Sequence, residues 1–239
     1  MSEKKTVVIT DARSVSAKCA AEYLARQGYD VQIVPETICL WDEAALAAFA
    51  QPLAETLHGV IHPAPEKILG GIEQFSGDDW KRARDEGPMA AFCVTKVFCN
   101  IMREKRQGAI IYLNSIHAEK PVGEGMLFSM GCGAVQMLCR EINQDYGEQG
   151  VNCFFVQKGI EEGEENCISN VSPIYCGVDQ RYPTRKMPAQ DHLNGLLAFL
   201  LTDAAAPLTG SDLRADGGLT MFYNHRKRTE GRRYVHDDD

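Results

Sequence analysis

Strand-like apolar runs alternate with segments of helical periodicity along most of this 239-residue chain. The alternation begins with the run KTVVIT, the helical pattern SAKCAAEYLARQ, which ends at Gly28, and the run DVQIV. Strands joined through a helix lie parallel in one sheet, and successive helices can cover both of its faces. The predicted fold class is therefore α/β, a single Rossmann-like, doubly wound parallel sheet with helices on both faces.

The same alternation continues to the C-terminal region. Strands are predicted at ICLW and GVIH, on either side of the helix DEAALAAFAQPLAETL, and at GAIIYLN and VNCFFVQ. Long helices are predicted over WKRARDEGPMAAFCVTKVFCNIMREK and FSMGCGAVQMLCREINQDYGEQ. Residues 158–190 predict an irregular loop, DHLNGLLAFLLTD a helix, and GSDLRADGG a final strand and turn. No linker divides the chain, so we expect one domain over residues 1–223 and a polar tail over 224–239.

Composition argues against several functions. The formal net charge of −8 argues against a nucleic-acid partner, since phosphate contacts need clustered Lys and Arg. No apolar run approaches the roughly 18 residues that span a membrane, and no signal peptide precedes the first strand, so a cytoplasmic protein without membrane contact is expected. The nine cysteines form no C-x-x-C pair and the histidines are scattered, so neither a metal site nor a disulfide framework is predicted.

The C-terminal stretch PAQDHLNGLLAFLLTDAAAPLTGSDLRADGG resembles the signature of short-chain dehydrogenases/reductases (SDRs), where a helix, TG and a strand ending in DGG follow in this order. GAIIYLNS resembles the SDR strand that ends in the catalytic serine, FCVTKVF the fourth helix, and VN at Val151 and Asn152 the start of strand 6. The resemblance covers nearly the whole chain. It implies an SDR-type sheet that lacks one helix after strand 2, at Val34.

The family's cofactor turn has the pattern T-G-x-x-x-G-x-G. Thr10 is kept here, but Asp11, Val15 and Ala17 replace the three glycines. Glycine lets the backbone approach the cofactor pyrophosphate at a helix N-terminus. A branched side chain obstructs that approach, and a carboxylate about 5 Å away adds roughly 3 kcal/mol of repulsion per phosphate charge. We interpret Asp11 as an anion that satisfies the N–H groups of the helix start by itself.

Other cofactor-binding positions of the family are also changed. The NNAG sequence after strand 4 is replaced by His62, Pro63, Ala64 and Pro65, and the PG pair after strand 6 by Val156 and Gln157. Two prolines make a different loop. Glu36 is either a ribose-binding acid or an ordinary loop carboxylate. We therefore predict that this chain binds no cofactor and assign no cofactor-binding or metal-binding residue.

The family's catalytic tyrosine and lysine lie thirteen and seventeen residues after the serine. Counted from Ser115, these positions hold Phe128 and Cys132, and the asparagine of the fourth helix falls near Gly87. Phenylalanine has no proton to exchange, so the reaction would have neither acid nor base. We predict a pseudoenzyme and assign no catalytic residue. Ser115 is interpreted as a strand-end hydrogen-bonding residue rather than a nucleophile.

Two interpretations of Cys132 remain open. It could be a nucleophile that His117 activates, because a reactive thiol needs a nearby base or a helix N-terminus. Alternatively, Gly131, Cys132 and Gly133 are small residues that fill a closed former pocket.

The functional hypothesis that follows is a non-catalytic subunit assembled with a catalytically active, NAD-dependent SDR paralogue, as a hetero-oligomer and most simply a heterotetramer. The alternatives are a stand-alone metabolite-sensing binding protein and a cofactor-independent enzyme. The resemblance implies assembly through the fourth and fifth helices and the C-terminal strand. The two helices are apolar on both faces. Their apolar residues include Phe92, Val94, Val97 and Phe98, and then Val135, Met137, Leu138 and Ile142.

The C-terminal tail places five basic residues within eight positions, followed by HDDD. Two interpretations are open: a solvated terminus, or a basic arm that contacts the partner or an anionic substrate. The basic residues are Arg226, Lys227, Arg228, Arg232 and Arg233.

Overall fold

The predicted parallel sheet is confirmed in a computed structural model that describes residues 4–121, 123–162 and 181–221. Six strands pair in the order β2-β1-β3-β4-β5-β6, every pair parallel. The strands are β1 Thr6–Ile9, β2 Asp30–Ile33, β3 Leu57–Pro63, β4 Gly108–Ser115, β5 Val151–Lys158 and β6 Asp212–Ala215. Because all six are parallel, their carboxyl ends meet at one edge of the sheet, where the candidate site lies.

In the part of the chain that the structure describes, six α-helices join these strands. They are α1 Val15–Arg26, α2 Glu43–Ala50, α3 Gly77–Arg84, α4 Ala90–Lys105, α5 Met126–Tyr146 and α6 Asn194–Leu200. The long helix predicted before β4 is divided into α3 and α4 by a π-helical turn at Asp85–Met89. Pro88 lies inside that turn. A proline lacks the N–H of the regular helix and its ring clashes with the preceding turn, which the wider π turn accommodates.

The strand predicted at ICLW is wrong. Residues 34–42 form turns between β2 and α2 with neither helix nor strand, in keeping with a shortened connection after Val34. Ile38 and Leu40 nevertheless pack against the main core. Helix α2 starts after Asp42, whose carboxylate accepts the Ala45 N–H at 3.1 Å. A short apolar run can therefore supply core residues from a turn as well as from a strand.

The helices form two layers, as the doubly wound prediction requires. Helices α2, α4 and α5 pack on one face of the sheet around a core that includes Leu46, Phe98 and Val135. Helices α1 and α6 pack on the other face around Leu24 and Leu197. The outward sides of α4 and α5 therefore point away from the sheet on the same side of the molecule.

Burial separates the apolar residues of α4 and α5 into two groups. Most lie inside the chain's own core, and Leu138 is partly buried against it. Phe92 and Met137 are about half exposed, at 48% and 50%. The expectation that these helices carry a broad exposed apolar face is therefore too generous, because α2, α5 and the sheet together surround α4. The buried residues are Val94, Val97, Phe98, Val135 and Ile142.

Parts of the predicted loop and tail lie outside the described residues. Residues 163–180, within the predicted loop 158–190, and the predicted tail 224–239 are among them. The adjoining segments pack together: the Ile160 N–H donates to the Tyr182 hydroxyl at 3.0 Å, and the Glu162 N–H donates to the Pro188 carbonyl at 3.1 Å. Within the described ranges, no helix is both long enough and apolar enough to cross a membrane.

Candidate functional site

The first part of the site lies where β1 and β3 end side by side. The Thr10 hydroxyl and His62 Nδ1 are 2.7 Å apart, and both residues are buried. The His62 ring also meets the Tyr112 ring edge-on at 6.1 Å. Burial lowers the pKa of His62 from 6.5 to about 4, against the opposing effect of the Asp11 carboxylate. The imidazole is therefore neutral at physiological pH.

Asp11 forms an ion pair within the turn. Its carboxylate accepts the backbone N–H of Arg13 at 2.8 Å and lies 2.6 Å from a guanidinium nitrogen of the same residue. Burial raises the pKa of Asp11, but the hydrogen bonds and charge of Arg13 outweigh this effect and hold the pKa below its usual value. The turn thus contains its own paired anion and cation.

The interpretation of Asp11 as the group that satisfies the helix start needs correction. Ser14 is the N-cap of α1, and its hydroxyl accepts the Ala17 N–H at 3.2 Å. Asp11 bonds to the residue before that cap, so it orders the turn rather than the first helical turn. Ser14 fits the known preference for a small hydroxyl residue at this position, a signal that was present in the sequence.

The other predicted cofactor-turn positions differ in burial. Val15 is the first residue of α1 and is 44% exposed, whereas Ala17 is fully buried. Glu36 is exposed in the turn after β2. Its negative charge raises the pKa of Arg13, although by less than the Asp11 carboxylate does. At this end of the sheet, charged side chains therefore interact with one another across the turn.

The second part of the site lies at the end of β4. Ser115 Oγ is 2.8 Å from His117 Nδ1 and accepts the His117 N–H at 3.3 Å, and the Ser115 N–H donates to Asn114 Oδ1 at 2.7 Å. Both Ser115 and His117 are buried. The Ser115 hydroxyl thus takes part in local hydrogen bonds at the end of β4, as its interpretation from the sequence predicted.

Helix α5 and the π-helical turn bring the other catalytic positions together around a small cleft. Phe128, Cys132, Gly87 and Asn114 all line it. The remaining lining residues are mainly apolar: Pro65, Glu66, Ile68, Ala83, Glu86, Leu127, Gly131 and Val135. Its free volume is about 20 Å³, room for about one water molecule.

The Cys132 thiol lies in an environment that disfavours a thiolate. Burial raises its pKa to about 12, although the charge of Lys67 acts in the opposite direction. A thiol with that pKa stays protonated at neutral pH and is a weak nucleophile. His117 Nδ1 lies beside the Ser115 hydroxyl, as described above, and its ring meets the Phe128 ring edge-on at 5.4 Å.

Lys67 is a site residue that the sequence analysis missed. It lies on the loop after β3, and its ammonium is 5.8 Å from the centre of the Phe128 ring, a cation–π contact. The same loop is held to the start of α5 by a Gly70 N–H that donates to the Glu124 carbonyl at 2.7 Å. A cation thus lies beside Phe128, next in sequence to the cleft residues Glu66 and Ile68. Lys67 is far from Cys132 in the sequence, and no sequence pattern indicated that the two lie near each other.

A polar network closes the same edge of the sheet beside β5 and β6. The Glu119 carboxylate accepts hydrogen bonds from Gln157 at 2.8 Å, Gln136 at 3.0 Å and Arg214 at 2.5 Å. The hydrogen bond from Gln157 lowers the pKa of Glu119, burial acts in the opposite direction, and the contacts with Gln136 and Arg214 lower the pKa further. Gln157 is therefore engaged within the chain, whereas its neighbour Val156 lies in the core. No group of His, Cys, Asp or Glu in the described part of the chain could hold a metal ion.

Comparison with known proteins gives the family. Residues 2–220 match the family model described as enoyl-(acyl carrier protein) reductase. This chain belongs to the short-chain dehydrogenase/reductase family. Its fold matches a solved SDR-family oxidoreductase from Burkholderia thailandensis with a TM-score of 0.82 at 20% identity, over 92% of this chain and 94% of the other. At that identity the structural match supports the fold alone.

Two relatives of this SDR chain come from Xanthobacter autotrophicus. It is 25% identical to inactive 2-(S)-hydroxypropyl-CoM dehydrogenase 2, over 76% of this chain and 82% of that protein. It is 24% identical to 2-(S)-hydroxypropyl-CoM dehydrogenase 3, over 76% and 73%. A further relative is glucose 1-dehydrogenase 2 of Bacillus subtilis, 21% identical over 64% of this chain and 62% of that enzyme.

Proposed function

We propose that this SDR chain is a non-catalytic subunit of a hetero-oligomeric, NAD-dependent dehydrogenase whose chemistry takes place in an active SDR partner. The observation that carries the proposal is the pair of side chains at the proton-transfer positions. Phe128 and Cys132 are 6% and 2% exposed and line a cleft with room for about one water molecule. A ring without an exchangeable proton and a protonated thiol offer a hydroxyl substrate neither base nor acid.

The cofactor turn supports the same proposal. An SDR fold implies NAD or NADP, whose pyrophosphate would need the backbone N–H groups at the start of α1. Here the Asp11 carboxylate lies in the turn that precedes α1, paired with Arg13, and the exposed side chain of Val15 lies at the first helical position. The residues present do not fit a dinucleotide, and no step of a reaction is assigned to a cofactor in this subunit.

The outward side of α4 and α5 supports assembly. The apolar side chains that remain exposed there are Phe92 of α4, Met89 of the π-helical turn before it and three methionines of α5, and exposed apolar side chains of this kind favour contact with another protein. Of the two Xanthobacter relatives, one is named inactive and the other is not, so this family contains an inactive member beside one that is not so named. The exposed residues are Met89 at 42%, Phe92 at 48%, Met126 at 37%, Met130 at 50% and Met137 at 50%.

For the assembled enzyme we propose a hydroxyacyl-CoA substrate. Within that class we propose 2-[hydroxy(phenyl)methyl]succinyl-CoA, the substrate of an SDR dehydrogenase of anaerobic toluene degradation, with this chain in the place of its inactive subunit. Both Xanthobacter relatives are named for 2-(S)-hydroxypropyl-CoM, which is also a secondary alcohol attached to a sulfur-containing carrier. That shared chemistry supports a carrier-bound secondary alcohol as the substrate class.

Co-expression with the cognate dehydrogenase tests the function. We expect a mixed oligomer that oxidises the hydroxyacyl-CoA with NAD. Replacing the partner's catalytic tyrosine by phenylalanine should abolish turnover, whereas Ser115→Ala in this chain should leave kcat within about twofold. A chain that stays monomeric both alone and beside the dehydrogenase would contradict the subunit function and favour the metabolite-sensing alternative.

Restoring the family's catalytic pair should not restore activity. The variant Phe128→Tyr/Cys132→Lys is expected to show no turnover and no NAD(H) affinity in the micromolar range by calorimetry. The turn at Asp11 remains unchanged, and the new ammonium would occupy a position 2% exposed, near Lys67. Phe128→Tyr alone introduces no charge, so it serves as the folded control by circular dichroism. Measurable turnover or micromolar binding by either variant would show that a cofactor site survives.

A further inference from the structure

An open groove lies at the amino ends of the strands, on the opposite edge of the sheet from Phe128 and Cys132. Its free volume is about 580 Å³, a size typical of small-molecule sites. Within the described ranges, its lining shares no residue with the cleft. We call it the amino-edge groove. It is lined by Lys4 and Lys5 before β1, residues 27–29 between α1 and β2, and Ala198, Phe199 and Thr202 at the end of α6.

The turn after α1 brings an aromatic ring to the groove. Gly28 has a φ of +96°, a left-handed conformation that lets the chain turn back from α1 into β2. The Asp30 N–H then donates to the Lys5 carbonyl at 2.9 Å, so Tyr29 lies beside the start of β1. The Tyr29 ring is stacked with the His58 ring, with 6.0 Å between their centres. One wall of the groove is therefore an aromatic ring held in place by the fold.

The end of α6 supplies a second ring and satisfies its own backbone carbonyls. Phe199 is 39% exposed where it lines the groove. Its carbonyl accepts the Thr202 hydroxyl at 2.7 Å and the Thr202 N–H at 2.9 Å. The Leu201 carbonyl accepts a hydrogen bond from His58 Nε2 at 2.7 Å. Free carbonyls at a helix end repel anions, so these internal hydrogen bonds remove an obstacle to an anionic ligand.

The charge of the groove is positive. Lys4 and Lys5 are exposed, and neither ammonium forms a hydrogen bond or an ion pair within the part of the chain that the structure describes. Burial lowers the pKa of His58, and the charge of Lys5 acts in the same direction, so this ammonium acts on the ring pair. Asp203 acts on the pKa of His58 in the opposite direction, but it does not line the groove.

These features together favour an anion with an aromatic body. The two rings and the lysine stems offer apolar contact, and the ammonium groups offer a counter-charge. Helices α1 and α6 both end at the groove, and the carboxyl end of a helix carries a partial negative charge. A dianionic phosphate binds best at helix amino ends or to arginine side chains. A singly charged carboxylate is therefore favoured over a phosphate here.

We propose that the amino-edge groove binds an aromatic carboxylate, with the ring of the ligand against Tyr29 and Phe199 and its carboxylate at Lys4 and Lys5. This inference goes beyond the proposed function and does not depend on it. The groove lies away from the former catalytic positions and from the outward side of α4 and α5. It gives the chain a ligand site of its own, whether or not a partner is bound.

Calorimetric titration of the full chain with 2-naphthoate tests this site, with 2-naphthylmethanol as the uncharged analogue and 2-naphthyl phosphate as the dianion. We expect saturable naphthoate binding that weakens with added salt, and at least tenfold weaker binding of the alcohol. The variants Lys4→Gln/Lys5→Gln and Phe199→Ala should each lower naphthoate affinity at least fivefold, with the melting temperature nearly unchanged because these side chains are exposed. Lys18→Gln/Lys120→Gln is the matched control, since it removes two exposed charges outside the groove and should not change the affinity.

Four other results would overturn the proposal. Absence of saturable naphthoate binding up to millimolar concentration would remove the site, and equal affinity for the alcohol would remove the role of the lysines. Tighter binding of the phosphate would contradict the ligand class. Naphthoate binding that the groove variants leave unchanged would place the ligand elsewhere on the chain. None of these results bears on assembly with a dehydrogenase, so the proposed function stands or falls by its own experiment.

Discussion

A complex carrying Phe92→Glu and Met130→Glu in this chain is expected to dissociate at concentrations where the unmodified complex is fully formed. Both residues are about half exposed, at 48% and 50%, on the outward sides of α4 and α5. Burying an unpaired carboxylate at an interface costs about 2 kcal/mol or more, so two should weaken binding by more than about a hundredfold. Analytical ultracentrifugation of the purified pair measures the loss, and turnover should fall with it.

Two comparisons make that result specific. Phe199→Glu places the same charge on the opposite face and should leave assembly unchanged. Val97→Asp also targets α4, but Val97 is only 7% exposed and packs in the chain's own core. A buried unpaired charge there should lower the free energy of unfolding by several kcal/mol. If the double glutamate variant assembled normally, the outward side of α4 and α5 would not be the interface.

Hydrophobic periodicity predicted helix α4 but not how much of its surface is buried. Its existence and its end at Lys105 follow from the sequence, whereas its start at Ala90 does not, because the predicted helix ran on through the π-helical turn. Apolar residues on both faces led to the expectation of a broad exposed face. The structure places α2 on one flank and α5 on the other, so Val94, Val97 and Phe98 all lie in the core. Periodicity reports which residues avoid water, whereas the number of neighbouring elements decides how wide the buried stripe becomes.

The candidate site likewise contains some residues that the sequence could place and others that it could not. The positions Phe128, Cys132 and Gly87 could be placed from spacing, and the structure brings them to one cleft. Lys67 could not, because its contact with Phe128 depends on how the loop after β3 folds across the start of α5. Glu119 likewise gathers partners from α5, β5 and β6. Contacts between distant segments carry no local sequence pattern, and it is these contacts that place Lys67 and Glu119 in the structure.

The stability of the folded chain is expected to fall as the pH is lowered from about 6.5 to about 4. Burial lowers the pKa of His62 from 6.5 to about 4. Above pH 6.5 the imidazole is neutral in both states. Between the two values the unfolded chain binds a proton that the folded chain excludes, so acid favours unfolding. A shift of this size corresponds to about 3 kcal/mol, measurable by urea unfolding at pH 7.5 and 4.5.

His62→Asn isolates this contribution. Asparagine can keep a hydrogen bond with the Thr10 hydroxyl and does not titrate, so the variant should lose most of the difference in unfolding free energy between the two pH values. Its stability at pH 7.5 should also be lower, because the edge contact with Tyr112 is lost. Burial lowers the pKa of His58 as well, so a smaller dependence of the same sign should remain. An equal pH dependence of the unfolding free energy in the variant and the unmodified chain would show that His62 is protonated while folded. The assignment of a buried, neutral His62 imidazole bonded to Thr10 would then be wrong.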